Sequence, residues 1–287
     1  MTGRMAVLPA AGTDHPAGGE QGREAARRMG RLRWTVVFDP PRDGAVNMAV
    51  DHALAETVDP DAGWLRLYRW TRPTLSLGRN EPAADCYDFE RAARLGVDVV
   101  RRPTGGRGVL HDAELTYAVV APIAAAGRLR AAYAAVHAGL AAGLRALGAD
   151  ARLAAGVAPG PPRAGACFDA TAGGEVVAGG RKLTGSAQAR IGRALLQHGS
   201  VLIDGTQELA RKLCRQPADA DAAPASTTLR EQLGRTPTWE EVAKAVTEGL
   251  AAGLETEIAQ GPLPRRALPL IRPLERRYRS REWTLRR

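Results

Sequence analysis

At 287 residues, with 45% hydrophobic and 25% charged side chains, the chain can bury a large core and has the make-up of a globular protein. No apolar run approaches the roughly eighteen residues of a membrane helix, and the first thirty residues lack the sustained apolar core of a secretory signal. The formal charge of +9 suits an anionic partner, but with 5% aromatics and scattered arginines there is neither a base-stacking platform nor a recognition-helix pattern, so an acidic protein is expected rather than nucleic acid.

In chain order, residues 1–30 are expected to be a disordered leader of a cytoplasmic protein, 31–260 a single catalytic domain and 261–287 a basic C-terminal tail. Leu32 to Phe38 reads as an entry strand. Asp43-Gly44 leads into a helix over Ala45 to Thr57, whose Val46, Val50 and Leu54 make one apolar face; Asn47, Asp51 and His52 read as its solvated face or a cap. Trp64 to Trp70 alternates, as do Leu75 and Leu77, giving two strands joined by a turn at Arg72-Pro73. Ala83 to Leu95 reads as one helix capped by Gly96, with Cys86 a structural thiol near its start.

The most informative stretch follows, DVVRRPTGGRGVLHDAELTYAVVAP from Asp98 to Pro122. It reads as strand, glycine loop, strand. Gly105, Gly106 and Gly108 permit positive φ and leave backbone N–H groups open to a ligand, while Arg101, Arg102, Thr104, Arg107 and His111 add donors beside them. Such a loop suits an acyl carbonyl, a carboxylate or a phosphate. Leu129 to Leu147 then keeps helical spacing up to Gly148, with His137 beside the apolar stripe as a packing residue. A Gly/Pro linker from Ala155 to Gly165 ends at Ala166-Cys167-Phe168-Asp169. Val176-Val177, a turn at Gly179-Gly180, Lys182 to Ala189 and Leu195 to Ile203 read as an antiparallel meander. A short helix over Leu209 to Cys214, a polar loop from Gln216 to Ala225 and a helix from Thr238, with Glu241 completing a capping box, precede the tail.

The strings RRPTGGRGVLHD with ELTYAVV, NMAVDHALAE, LRLYRWTRPTLSLGRNE, ACFDA, GRKLTGSAQAR and LLQHGSVLID together resemble the biotin and lipoate protein ligase superfamily over roughly residues 32 to 287. Lipoate ligases usually carry a third glycine where this chain has Arg107; the GGR and ELTY versions are similar to the octanoyltransferase branch. Gly108 stands where that branch commonly has alanine, a change expected only to loosen the loop, and Asn80 where glutamine is frequent. The resemblance implies an α/β fold of mixed, largely antiparallel sheets flanked by helices. It implies an acyltransferase in which Cys167 carries the acyl group as a thioester and Lys182 favours the thiolate and offsets oxyanion charge, with Thr184 and Gly185 beside the acyl group. The donor would be octanoyl acyl carrier protein and the acceptor a lysine of a lipoyl-domain protein such as the glycine-cleavage H protein. No cofactor or metal is expected. An ATP-dependent lipoate ligase and an amidotransferase between lipoyl domains are the alternatives; ligases commonly have asparagine-aspartate at the Cys167 block.

Overall fold

The computed structural model describes residues 19–155, 173–215 and 225–286. The string holding Cys167, nearly all of the Gly/Pro linker and most of the loop after Gln216 lie outside them. Along the chain come α1 (Glu20–Gly30), β1 (Arg33–Phe38), α2 (Gly44–Glu56), β2 (Ala62–Tyr68), β3 (Thr74–Leu77), α3 (Ala83–Cys86), α4 (Phe89–Arg94), β4 (Asp98–Arg101), β5 (Val109–His111) and β6 (Glu114–Pro122). They are followed by α5 (Ile123–Ala126), α6 (Leu129–Ala146), β7 (Ala151–Leu153), β8 (Val176–Ala178), β9 (Arg181–Lys182), β10 (Thr184–Ile191) and β11 (Ala194–Leu202). The last elements are α7 (Glu208–Leu213), α8 (Leu229–Leu233), α9 (Trp239–Gly253), β12 (Ile258–Gln260), α10 (Leu268–Arg279) and α11 (Arg281–Thr284).

A six-stranded mixed sheet in the order β10-β11-β6-β2-β1-β12 is the spine. Alternate side chains along each strand point to opposite faces. Val36, Leu65, Leu67, Tyr117, Val119 and Leu195 face α6 and α9, whereas Val37, Trp64, Tyr68, Ala118, Val120 and Leu196 face α2 and the C-terminal helices. Because both faces are covered, β6 and β11 are buried along their whole length. Two smaller sheets, β4-β3-β5 and β7-β8-β9, complete the α/β architecture anticipated from the sequence. The Gly179-Gly180 turn joins β8 to β9, with both φ angles positive at 54° and 74°, as a two-residue hairpin requires. Among the described residues no helix is long and apolar enough to cross a membrane.

Several expectations are corrected. Residues 20–30 of the presumed leader form α1, whose Ala25 and Met29 are buried, and the Trp34 indole N–H donates to the Met29 carbonyl at 2.9 Å. β2 and β3 do not pair with each other; they belong to different sheets. The helix read over Ala83 to Leu95 breaks at Tyr87, which is extended so that its hydroxyl reaches Glu81 at 3.0 Å, and Asp88 caps the new helix on the Arg91 N–H. The run after the glycine loop is split into β5, paired with β3, and β6, paired with β2 and β11. Lys182 to Ala189 is likewise divided, since the chain leaves one sheet at Lys182 and enters the six-stranded sheet at Thr184. The basic C-terminal segment is no loose appendage, because Tyr278 and Trp283 are buried in the α2 core.

Helices α6 and α9 cross with glycines at the contact. A Cβ on Gly249 would lie 2.4 Å from the Gly143 nitrogen, and one on Gly143 would lie 2.1 Å from the Ala245 carbonyl oxygen. Overpacking of this kind costs about 1–3 kcal/mol, and here the obstruction is backbone, which cannot rotate away. Gly249→Val is therefore expected to lower the unfolding free energy by that order, read as a lower urea midpoint with an unchanged m-value; an unaltered midpoint would show that the helices separate freely.

Candidate active site

The site is assembled around β3, which lies between β4 and β5 so that residues 102–108 pass over its end. Gly78 and Gly106 meet there: a Cβ on Gly78 would stand 1.7 Å from the Gly106 carbonyl oxygen, and Gly106 itself has φ +91°. Arg102 is the strut of the loop, donating to the carbonyls of Ser76, Gly105 and Arg107, each at 2.7 Å. The Gly108 N–H donates to Glu81 at 2.9 Å, and a Cβ at this position would come within 2.3 Å of the Tyr87 hydroxyl oxygen. Glycine at 108 thus makes room for Tyr87 instead of merely loosening the loop. Arg101 is turned away from the loop cavity: its guanidinium donates to the carbonyls of Gly78, Glu81, Thr284 and Arg286, fastening the C-terminus to β4.

Beneath the loop lies a pocket of about 410 Å³, solvent at its mouth included, lined by Met48, Tyr68, Trp70, Ser76, Arg102, Gly106, Val109, His111, Thr116, Gly185, Ser186, Ala187, His198, Gly199 and Ser200. Two buried histidines border it, each held by a carboxylate. His111 stacks on Trp70 with ring centroids 4.0 Å apart, its Nδ1 lies 2.7 Å from Glu114 and its Nε2 lies 2.7 Å from the Ser76 hydroxyl. The same Glu114 oxygen accepts from Thr116 at 2.5 Å and Ser200 at 2.8 Å, while its other oxygen is buried and finds no hydrogen-bond partner among the described residues. With Glu114 Oε1 as the shared acceptor, His111 presents Nδ1–H to it and leaves Nε2 to accept from Ser76.

The second histidine, His198, places Nδ1 3.0 Å from Asp51 and Nε2 2.6 Å from the Thr104 hydroxyl. Burial raises the Asp51 pKa, but the Arg66 guanidinium and the His198 hydrogen bond outweigh it and leave the carboxyl below its ordinary value. Burial lowers the His198 pKa against the pull of Asp51, so the ring is neutral and Thr104 donates to its free nitrogen. Asp51, Asn47 and His52 are buried, contrary to the solvated face expected of them. Their side of α2 meets the sheet and α10: Asn47 and Asp51 accept from Arg66, each at 2.7 Å, and His52 lies 2.7 Å from the Tyr278 hydroxyl.

Lys182 is buried on β9, with its ammonium 2.8 Å from the Glu175 carboxylate, itself buried. An ammonium out of water requires such a partner, and β9 is fixed further by the Ala225 carbonyl, which accepts from the Lys182 N–H, and by the Thr227 N–H, which donates to the Lys182 carbonyl, both at 2.9 Å. Thr184 Oγ1 is buried and has no hydrogen-bond partner among the described residues, and Gly185 lines the pocket. From the pocket-lining Ser186 a chain of contacts runs to the Tyr117 hydroxyl at 2.7 Å and on to His137 Nε2 at 3.5 Å, and His137 donates from Nδ1 to the Gly174 carbonyl at 2.6 Å. His137 is therefore more than packing, since it ties α6 to the segment that carries Glu175. Of the other cysteines, Cys86 has its thiol pushed up by burial, Glu81 and Asp85, which suits a structural role.

The structure thus brings Arg102, Gly106, His111 and Gly185 to the pocket, with Thr104 directly behind His198. Gly105 and Arg107 take part through their carbonyls, Arg101 faces elsewhere, and Cys167 lies outside the described residues. Ser76, Glu114, Ser200, His198 and Glu175 were not singled out from the sequence, and Asp51 was read only as part of a solvated helix face. For Ser76, Glu114, His198 and Ser200 the available signal was a polar residue inside a strand that otherwise reads as buried.

A fold with a glycine loop over a buried, polar-edged pocket has a counterpart among known proteins. Residues 43–251 match the lipoyl protein ligase A/B catalytic domain, and the chain belongs to that family. It is an acyltransferase. The octanoyltransferase LipM of Kyrpidia tusciae is 36% identical over 88% of this chain and 99% of its own length, and that of Bacillus subtilis is 33% identical over 90% and 100%. A lipoate-protein ligase A crystallised with ATP has the same fold at a TM-score of 0.76, with 20% identity over 88% of this chain and 99% of that one.

His137 gives the site a pH signature. Burial lowers its pKa from 6.5 to about 4, offset in part by the Gly174 carbonyl and reinforced by Lys182. The folded ring stays neutral where the unfolded one takes a proton, so its contribution is complete above pH 6.5 and is lost as pH falls toward 4. Urea unfolding across that window should show His137→Gln losing roughly 3 kcal/mol less than the parent; parallel curves would show that His137 is protonated in the fold.

Proposed function

We propose that this acyltransferase moves an octanoyl group from acyl carrier protein to a lysine of a lipoyl-domain protein, such as the glycine-cleavage H protein, through a thioester on Cys167. The observation that carries this reading is the identity to octanoyltransferases over nearly their full length. Cys167 within ACFDA, where ATP-using ligases commonly have asparagine-aspartate, and the enclosed Lys182 support it.

The chemistry follows from the donor. A carrier thioester is already activated, so its transfer to a cysteine exchanges one C–S bond for another at little free-energy cost. The Cys167 thiolate attacks the acyl carbonyl, the C–S bond to the carrier breaks, and the carrier thiol leaves after taking up a proton. The acceptor amine then attacks the Cys167 thioester, forming the amide and expelling the thiolate, with the amine's proton passing to base. Lys182 is the cation that favours the thiolate and offsets the developing oxyanion. Glu175 keeps that ammonium in place at 2.8 Å. The glycine loop, shaped by Arg102, offers backbone N–H groups to the acyl carbonyl, and the pocket takes the alkyl chain.

Intact mass after incubation with octanoyl acyl carrier protein should show one added octanoyl group, labile to hydroxylamine. Cys167→Ala should carry none, and Lys182→Met should form the adduct at least about a hundredfold more slowly, as loss of an oxyanion-stabilising group does. A full adduct on Cys167→Ala would defeat the thioester route.

A further inference from the structure

Three guanidiniums gather where the glycine loop meets the C-terminus. Arg79 follows β3, Arg277 is in the last turn of α10, and Arg286 lies beyond α11. Ring contacts hold the guanidiniums of Arg277 and Arg286, and the backbone of Arg79 is tied to Arg286. Arg286 donates to the Arg79 carbonyl at 2.7 Å, Arg101 donates to the Arg286 carbonyl at 3.0 Å, and Arg277 and Arg286 both stack on Trp283, 3.9 and 3.8 Å from its ring centre. Among the described residues no carboxylate comes within ion-pair distance of these three, although the neighbouring Arg279 is bound by Asp43 at 2.7 Å and Glu275 at 2.8 Å. Burial together with the charges of Arg79 and Arg277 lowers the Arg286 pKa, a repulsion that no carboxylate among the described residues offsets. An incoming anion would relieve it.

The cluster adjoins the pocket. The Arg79 N–H donates to the Thr104 carbonyl at 2.8 Å, and the preceding Gly78 packs on Gly106, which lines the pocket. We propose that Arg79, Arg277 and Arg286 seat the acidic carrier that delivers the acyl thioester, taking the phosphate of its thiol-bearing arm at the edge of the glycine loop. This rests on the carrier-borne donor of the proposed function. Planar guanidinium forks match the oxygens of a phosphate. The acceptor's reacting group is a lysine side chain and carries no phosphate, which favours the donor as occupant.

The test compares two donors of the same octanoyl thioester, octanoyl acyl carrier protein and octanoyl-N-acetylcysteamine, the latter without phosphate or protein. With the Arg79→Glu/Arg277→Glu double variant, KM for the carrier donor should rise by about tenfold or more, lose most of its salt dependence, and leave kcat within about twofold. The small thioester and the acceptor should keep their KM values. Arg130→Glu, an exposed charge change on α6 across the sheet, should leave all of them unchanged. An unmoved carrier KM, a parallel loss with the small thioester, or a rise confined to the acceptor would overturn the assignment. If the parent enzyme itself took no octanoyl from the carrier, the proposed function would fall, and this inference with it.

Discussion

Arg66 is a fully buried guanidinium in the middle of the central sheet, and much of the site is arranged to satisfy it. Its donors reach Asp39 at 2.6 and 2.9 Å, Asp51 at 2.7 Å and Asn47 through both side chain and carbonyl. Removing one member of such a buried pair typically costs about 3–5 kcal/mol, because the remaining charge is left uncompensated. The constraint spreads outward: Asp51 is fixed by Arg66, so it can orient His198, which in turn receives Thr104 at the start of the glycine loop. β2, α2, β11 and the loop are thereby set in one register by a single line of charge and hydrogen bonds.

The loop depends on a second arginine used in the same way. Arg102 gives its donors to the carbonyls of Ser76, Gly105 and Arg107, so those carbonyls are spent inward. Arg101, one residue earlier and therefore on the other side of β4, serves the C-terminal carbonyls instead. Adjacent arginines that look alike in the sequence divide between pocket and tail because strand side chains alternate. The stacked Trp70–His111 pair and the Glu114 hub complete a pocket whose polar groups are nearly all paired before any ligand arrives, which favours preorganised binding over rearrangement.

Much of this was legible in the residues. The glycine loop, the strand pairs flanking the Gly179-Gly180 turn and the capping box at Thr238 came from local signals that tertiary structure did not override. The misread parts share a physical cause: Asn47, Asp51 and His52 looked like a solvated helix face because α2 alternates polar and apolar residues, but a helix covered by both a sheet and α10 has no solvated face. Likewise, Tyr87 broke a helical pattern through its contact with Glu81, and α1 emerged from a polar leader because Ala25 and Met29 found a surface on distant parts of the chain. Glu175 was invisible as a functional residue, since only the hairpin that follows it shows that it faces Lys182.

The central claim is that the acyl group arrives already activated. Transfer of octanoyl to a lipoyl-domain lysine should be followed by the mass of the acceptor, in parallel with octanoyl acyl carrier protein in nucleotide-free buffer and with free octanoate plus ATP and magnesium. The account predicts octanoyl-lysine formation with the first donor alone and none with the second. Product from octanoate and ATP, with none from the carrier thioester, would contradict it and make the chain a ligase.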